Sequence, residues 1–204
     1  VSGLKGGHSG VDIHLERGNA NKIMNRLMFD GDAYGLQIAS IDGGSLRNAI
    51  PRESFAIVVV NNAKYADEVR ARAAAICHEY HLQDEGLKID IQSTEMPGMV
   101  MSFDDSRKLI LAIQSTHNGV YTMSSTISGL VETSSSLARV IVKDGKFITQ
   151  SLQRSSVESA KMDVAYTVAA PFRLMGCSVE HGGAYPGWAP DPASKILHIL
   201  EAQY

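Results

Sequence analysis

A histidine framed by glycines is the first place in this chain where chemistry could sit. In "LKGGHSGVDIHL", Leu4 to Leu15, the residues Gly6, Gly7 and Gly10 surround His8, and His14 follows six positions on. Glycines let a backbone turn sharply or approach a neighbour closely. Residues 10–15 alternate as a strand, with Val11, Ile13 and Leu15 on one face and His8, Asp12 and His14 on the other. Joint metal ligation by the two histidines is unfavourable. Six strand residues span roughly 20 Å, whereas both ligands of one zinc lie within roughly 2 Å of it. Asp12 and His14 could share an ion, but two ligands do not complete a site. His14 is assigned to a solvated polar face. His8 stays a candidate, against the alternative of a β-bulge or turn without chemistry.

Asn48 is the second candidate. It lies in "GGSLRNAIPRE", between Arg47 and Arg52, after a double glycine and before Pro51, which pushes Ile50 towards extended geometry. A side-chain amide offers donors and an acceptor without charge, which suits holding a carbonyl or carboxylate. The competing use is an Asx-type bond to the loop backbone. Arg154 is the third. On the strand from Phe147 its parity matches Ile148 and Leu152, an apolar face. A guanidinium there needs an anion, because an unpaired buried charge is costly. That anion is either a ligand carboxylate or one of the chain's 22 acidic side chains.

Other chemistries lack their signatures. The sequence holds no HExxH, GxSxG, P-loop or GxGxxG motif and no Cys–His cluster. Cys77 and Cys177 stand a hundred residues apart and suit small core hydrophobes in a reducing cytoplasm. With 44% hydrophobic residues among 204, the chain can bury a substantial core. A net charge of −3 without a basic stripe argues against nucleic acid. No run of 18 apolar residues is present, so no membrane-spanning helix is expected. The opening at Val1, without an initiator methionine or signal peptide, leads us to expect a piece of a longer polypeptide.

The elements that must carry these side chains follow from periodicity. A helix is predicted from "GNANKIMNRLMF", where Ile23, Met24, Leu27 and Met28 recur at helical spacing. A second covers about 63–82, with Val69, Ala73, Ile76 and Tyr80 in one stripe. A third covers about 102–114, capped by Ser102 with Asp105 as its box partner. A fourth runs from Val157 towards Met175, ending at Gly176, with Pro171 expected to kink or split it. Strands are predicted at about 36–41, 54–60, 87–92, 120–128, 138–143, 147–155 and 177–180. The nearly all-apolar 54–60 run reads as a central strand buried on both faces, and Asp144-Gly145 marks a hairpin.

The resulting fold is α+β. Two successive ferredoxin-like halves, about 1–96 and 97–182, form an antiparallel sheet with helices packed on one face. Residues 183–204, dense in Gly and Pro, read as a linker and a short helix from about Ser194. They expose Tyr185, Trp188, Ile196, Leu197 and Leu200 to a partner or a further domain.

Four stretches, "VSGLKGGHSGVDIHLERGNANK", "GGSLRNAIPRESF", "HNGVYTMSSTISGLVETSSSLARV" and "GGAYPGWAPD", together resemble the bacterial aminoacyl-histidine dipeptidases (Xaa-His dipeptidases, peptidase D). These are carnosinase-like members of a di-zinc metallopeptidase family, and the resemblance covers essentially the whole chain. It implies a cytoplasmic enzyme in two parts. A catalytic domain binds two zinc ions, or other divalent metals, through His, Asp and Glu and supplies a glutamate base. A lid or dimerisation domain is inserted into it. This chain matches the lid over residues 1–182, with 183–204 beginning the return to the catalytic domain. By this resemblance it holds no metal ligand itself and should be inactive alone. The implied partners are that catalytic domain, a second copy through the lid and a small dipeptide, with neither nucleic acid nor membrane.

The resemblance also implies roles. His8 would reach the active site, often that of the partner subunit, and stabilise the oxyanion of the tetrahedral intermediate. Asn48 would help hold the substrate's C-terminal end, and Arg154, in "LQRSS", would bind its free carboxylate. A donor on a movable lid completes the site as closure expels water. Two other readings of these residues stand beside it: a free-standing α+β domain that binds a small anion, and a purely structural dimerisation module.

Overall fold

Residues 10–15 do not form the predicted strand. The chain turns back there: Asp12 donates its backbone N–H to the His8 carbonyl at 2.9 Å, and Ile13–Leu15 wind into a 3₁₀ turn ended by Glu16 at φ 53°. The Asp12 carboxylate accepts from the His8 backbone N–H at 2.8 Å. This local side-chain bond, helped by Gly10, outcompetes the alternating pattern. Ile13 is buried, whereas Val11 and Leu15 are 69% and 40% exposed. The computed structural model describes residues 1–188, 190–191, 193–201 and 203, excluding the side chains of Leu197, His198 and Glu201.

Ahead of that turn, strand β1 (Gly7–His8) begins the fold, and helix α1 (Ala20–Met28) follows. Asn19 caps α1, its side-chain oxygen accepting from the amides of Asn21 and Lys22. Then come β2 (Gln37–Gly43), β3 (Ala49–Ile50), β4 (Ser54–Val59) and α2 (Lys64–Glu79). The second half supplies α3 (Phe103–Ser115), β5 (Gly119–Met123), β6 (Val131–Lys143), β7 (Lys146–Ser155), α4 (Glu158–Leu174) and a short α5 (Lys195–Glu201). The Ser102 cap forms as predicted: the Asp105 amide donates to its hydroxyl at 3.0 Å, and the hydroxyl donates to the Asp105 carboxylate at 2.8 Å.

Both halves feed one five-stranded antiparallel sheet. Strand β6 is its spine. Val140–Val142 pair with β2, Val131–Ser135 pair with β5, and the opposite edge pairs with β7 throughout. The β6–β7 hairpin turns at Asp144-Gly145, both at positive φ as a primed turn requires. Ile38, Ile41, Val140 and Val142 join residues of α1, α2, α3 and α4 in one core. The other sheet face is open where Phe55, Ile57 and Ile148 are exposed.

Three predicted strands behave differently. Strand β4 is an edge strand pairing only β2, not a central one. Ala56 and Val58 face the core, while Phe55 and Ile57 are 57% and 39% exposed. A continuous apolar run does not by itself specify cover on both faces. The alternating run after Gly86 makes a single bridge, Lys88 to Ser2, although Leu87 is buried and Ile89 and Ile91 pack on the core. Gly3 ends that ladder by turning to φ 76°. Residues 177–180 form no strand, since the Cys177 amide closes α4 onto the Phe172 carbonyl at 3.0 Å, as in a Schellman motif. Helix α4 runs unsplit through Pro171, which lies in its last turn. Cys77 and Cys177 are free and pack against the core.

Buried polar groups hold the site-bearing segment in place. Asp84 is 1% exposed and accepts from the amides of Lys5 at 2.7 Å and Gly18 at 2.6 Å, pinning both ends of the histidine loop. Asn19 donates to the Leu137 carbonyl at 3.0 Å and to the Asn118 side chain at 2.7 Å, and Asn118 in turn accepts from the Leu137 amide at 3.0 Å. These amides tie the start of α1 to the bulge in β6 between Leu137 and Arg139. Lys22 reaches three carbonyls at the C-terminal end of α3, those of Ile113, Gln114 and Thr116. Burial pushes its ammonium down to about 8, while those carbonyls favour the charged form.

Candidate functional site

The histidine and asparagine motifs meet in a two-stranded ribbon. Strand β1 pairs antiparallel with β3, setting His8 opposite Ala49 and Gly7 opposite Ile50. The Ser9 amide extends the ribbon by donating to the Asn48 carbonyl at 2.9 Å. Among the described residues the exposed Asn48 amide has no hydrogen-bond partner, so the expected alternative of a local Asx bond does not form. His14 sits exposed in the 3₁₀ turn.

Arg154 reaches the same ribbon from β7, where it stands opposite Ser134 of β6. Its Nη2 lies 3.5 Å from His8 Nε2. A side chain at position 10 would obstruct this meeting: a Cβ there would stand 2.9 Å from Arg154 Cδ and 3.3 Å from His8 Cε1. The glycine at position 10 thus lets arginine and imidazole share one corner. Gly6 and Gly7 hold φ values of 61° and 144°, which the entry into β1 requires.

The imidazole's hydrogen bonds fix its direction. His8 Nδ1 accepts from the amides of Gly10 at 3.2 Å and Val11 at 3.1 Å. The neutral ring therefore carries its proton on Nε2, a tautomer assigned from this network. Nε2–H and the guanidinium are both donors, so their approach is not a bond between them. It is a pair of donors converging on a place for an acceptor. Arg154 Nε is buried without a partner, and among the described residues Arg154 makes no ion pair with a carboxylate. Asp12 binds the His8 amide and lies 3.9 Å from Arg17, which itself donates to the Gly6 carbonyl at 2.6 Å.

The segment after α4 closes over this corner. Tyr185 accepts at its hydroxyl from Arg154 Nη1 at 2.7 Å, and its carbonyl accepts from Lys161 at 2.8 Å. Lys161 also bonds Glu158 at 2.7 Å and holds that carboxyl below its usual range. Gly187 lies on the end of β7, where a Cβ would stand 2.7 Å from the Ser155 carbonyl. Tyr185, Ile196 and Leu200 are exposed as predicted, and so is Trp188; the Leu197 side chain lies outside the described residues. A cavity of about 520 Å³ opens beside the ribbon, lined by Gly7, Asp42, Leu46, Arg52 and Phe55 among others, and His8 and Arg154 stand outside it.

His8 and Arg154 thus share one corner of the fold, and Asn48 joins the same ribbon through its backbone, opposite Ser9. Sequence spacing missed Asp12, which was assigned to a strand face, and Tyr185, which was counted only as exposed apolar surface. The turn-forming residues of "HSGVD" were the available signal for Asp12. None existed for Tyr185. Among the described residues no group of three or more His, Cys, Asp or Glu side chains could hold a metal ion, so these residues do not fit a zinc centre of their own. The corner offers hydrogen-bond donors and positive charge to an oxygen anion.

The chain has counterparts among known proteins. Residues 1–85 match the family described as the peptidase dimerisation domain. The whole chain is 35% identical to the cytosol non-specific dipeptidase of Escherichia coli (strain K12), covering 43% of that protein. It superposes on the crystal structure of aminoacylhistidine dipeptidase from Vibrio alginolyticus with a TM-score of 0.92 and 34% identity, covering all of this chain and 42% of that one. The match to the dimerisation-domain family lies in residues 1–85, and the likeness to these two dipeptidases runs through the whole chain. The chain spans less than half the length of these relatives.

Proposed function

We propose that this chain is the lid and dimerisation part of a cytosolic zinc dipeptidase that hydrolyses Xaa-His dipeptides of the carnosine kind. Residues 1–182 form the lid, and 183–204 lead back to a catalytic domain. The two zinc ions of this reading belong to segments outside this chain. What this chain brings is donors. His8 presents Nε2–H to the scissile carbonyl oxygen as it gains charge. Arg154, with Asn48 beside His8 on the ribbon, holds the free C-terminal carboxylate. In a dipeptide these two groups flank a single residue, so neighbouring donors suit them. The observation that carries this reading is the approach of His8 Nε2 and Arg154 Nη2 to 3.5 Å.

A second copy of the chain is the other proposed partner. Strand β4 leaves one edge of the sheet unpaired among the described residues, with Phe55 and Ile57 exposed beside it. Such an edge is a template for pairing with another chain, and a two-fold axis would make the contact self-complementary.

The test is hydrolysis by the full-length protein of carnosine, other Xaa-His dipeptides and dipeptides lacking histidine, with and without chelator. Expected is turnover that favours Xaa-His, is abolished by chelator and returns with zinc. Failure to cleave any free dipeptide would overturn the reading. Equal rates on all of them would remove the histidine preference, an outcome the name of the Escherichia coli relative makes pertinent.

A further inference from the structure

We propose that Tyr185 is a positioning residue for Arg154, so that the segment leaving the lid sets the direction of the carboxylate-binding guanidinium. This rests on the assignment of Arg154 above. Each terminus of the guanidinium meets a different neighbour. Nη1 donates to the Tyr185 hydroxyl at 2.7 Å. Nε is buried without a partner against Gly10, whose Cβ would lie 3.0 Å away. Nη2 is left as the open donor, facing His8 Nε2 at 3.5 Å. A free arginine has many rotamers, and a carboxylate must fix one of them at an entropic cost. With Nη1 already held, the fork is preorganised before substrate arrives.

The tyrosine is itself fixed from the lid side. Lys161 on α4 holds its carbonyl at 2.8 Å. Two residues on, Gly187 lies directly on the backbone of Ser155 and Ser156, the residues that follow Arg154. Tyr185 as a whole is 61% exposed. It contributes little buried area to the core, so its hydroxyl matters for direction rather than for folding.

The experiment compares Tyr185→Phe, Arg154→Ala and the double variant in the full-length protein, measuring kcat and KM on one Xaa-His dipeptide. Tyr185→Phe is expected to raise KM about tenfold, the worth of one hydrogen bond to a charged group, with kcat and melting temperature unchanged. In the Arg154→Ala background it should add nothing, because a positioning residue acts only through the group it positions. If Arg154→Ala raises KM and Tyr185→Phe does not, the positioning role is overturned and the assignment of Arg154 stands. Additive effects of the two substitutions also overturn it, since Tyr185 would then act elsewhere. If Arg154→Ala leaves KM unchanged, the assignment of Arg154 fails and the positioning role fails with it.

Discussion

Replacing His8 with alanine in the full-length protein is expected to lower kcat about a hundredfold while leaving KM and dimerisation unchanged. The magnitude follows from its proposed target. A donor aimed at an oxygen that is nearly neutral in the substrate and anionic in the transition state stabilises the second far more than the first. Removing one such donor costs about 3 kcal/mol of transition-state binding and little ground-state binding. The ring is preorganised for this use. Two backbone amides occupy Nδ1, and Asp12 holds the His8 amide. His8→Gln, whose amide keeps a donor on a different stem, should recover part of the rate. Unchanged turnover in His8→Ala with an intact dimer would favour the purely structural module instead.

The second large effect should fall on binding. Arg154→Ala is expected to raise KM about a hundredfold for dipeptides with a free C-terminus, from the loss of charge-assisted donors to a carboxylate. The fold should tolerate the change, because among the described residues no carboxylate of the chain pairs with this arginine. Arg154→Lys should recover only part of the loss, since an ammonium lacks the planar fork. Steady-state kinetics alongside thermal melting separates the outcomes. A fall in stability with KM unchanged would make Arg154 a structural cation and remove it from the site.

Much of the fold was legible in the sequence because its signals were local. The Ile23–Leu27 and Val69–Ala73–Ile76 stripes report helices directly, and Ser102 with Asp105 marks one start to the residue. Asp144-Gly145 identifies its hairpin because few residues adopt both positive φ values. The failures share a cause: alternation and apolar runs describe a strand's faces but not its neighbours. Residues 10–15 alternate yet turn, because a side-chain bond from Asp12 closes the loop locally. The run after Gly86 alternates yet finds only Ser2 to pair with. Residues 54–59 are apolar throughout yet lie at an edge.

The meeting of His8 and Arg154 was not legible in the same way. Nothing in their spacing announces that a two-residue ribbon and the end of β7 bring them to one corner. Those contacts span up to 146 positions of chain, and periodicity reaches no further than a turn or two. The glycines around His8 gave a hint whose content, room for Arg154 beside the ring, needed the third dimension. Tyr185 was hidden because an aromatic in a Gly-Pro segment looks like surface whichever way its hydroxyl points.

The most direct test of the donor pair is the tautomer of His8. In the ¹⁵N-histidine-labelled protein, long-range proton–nitrogen correlation spectra above the ordinary histidine titration range distinguish the two ring nitrogens. The geometry predicts a proton on Nε2 and a bare Nδ1 that accepts from Gly10 and Val11. A His8 ring protonated on Nδ1 would leave Nε2 an acceptor for Arg154, and the proposed oxyanion donor would not exist.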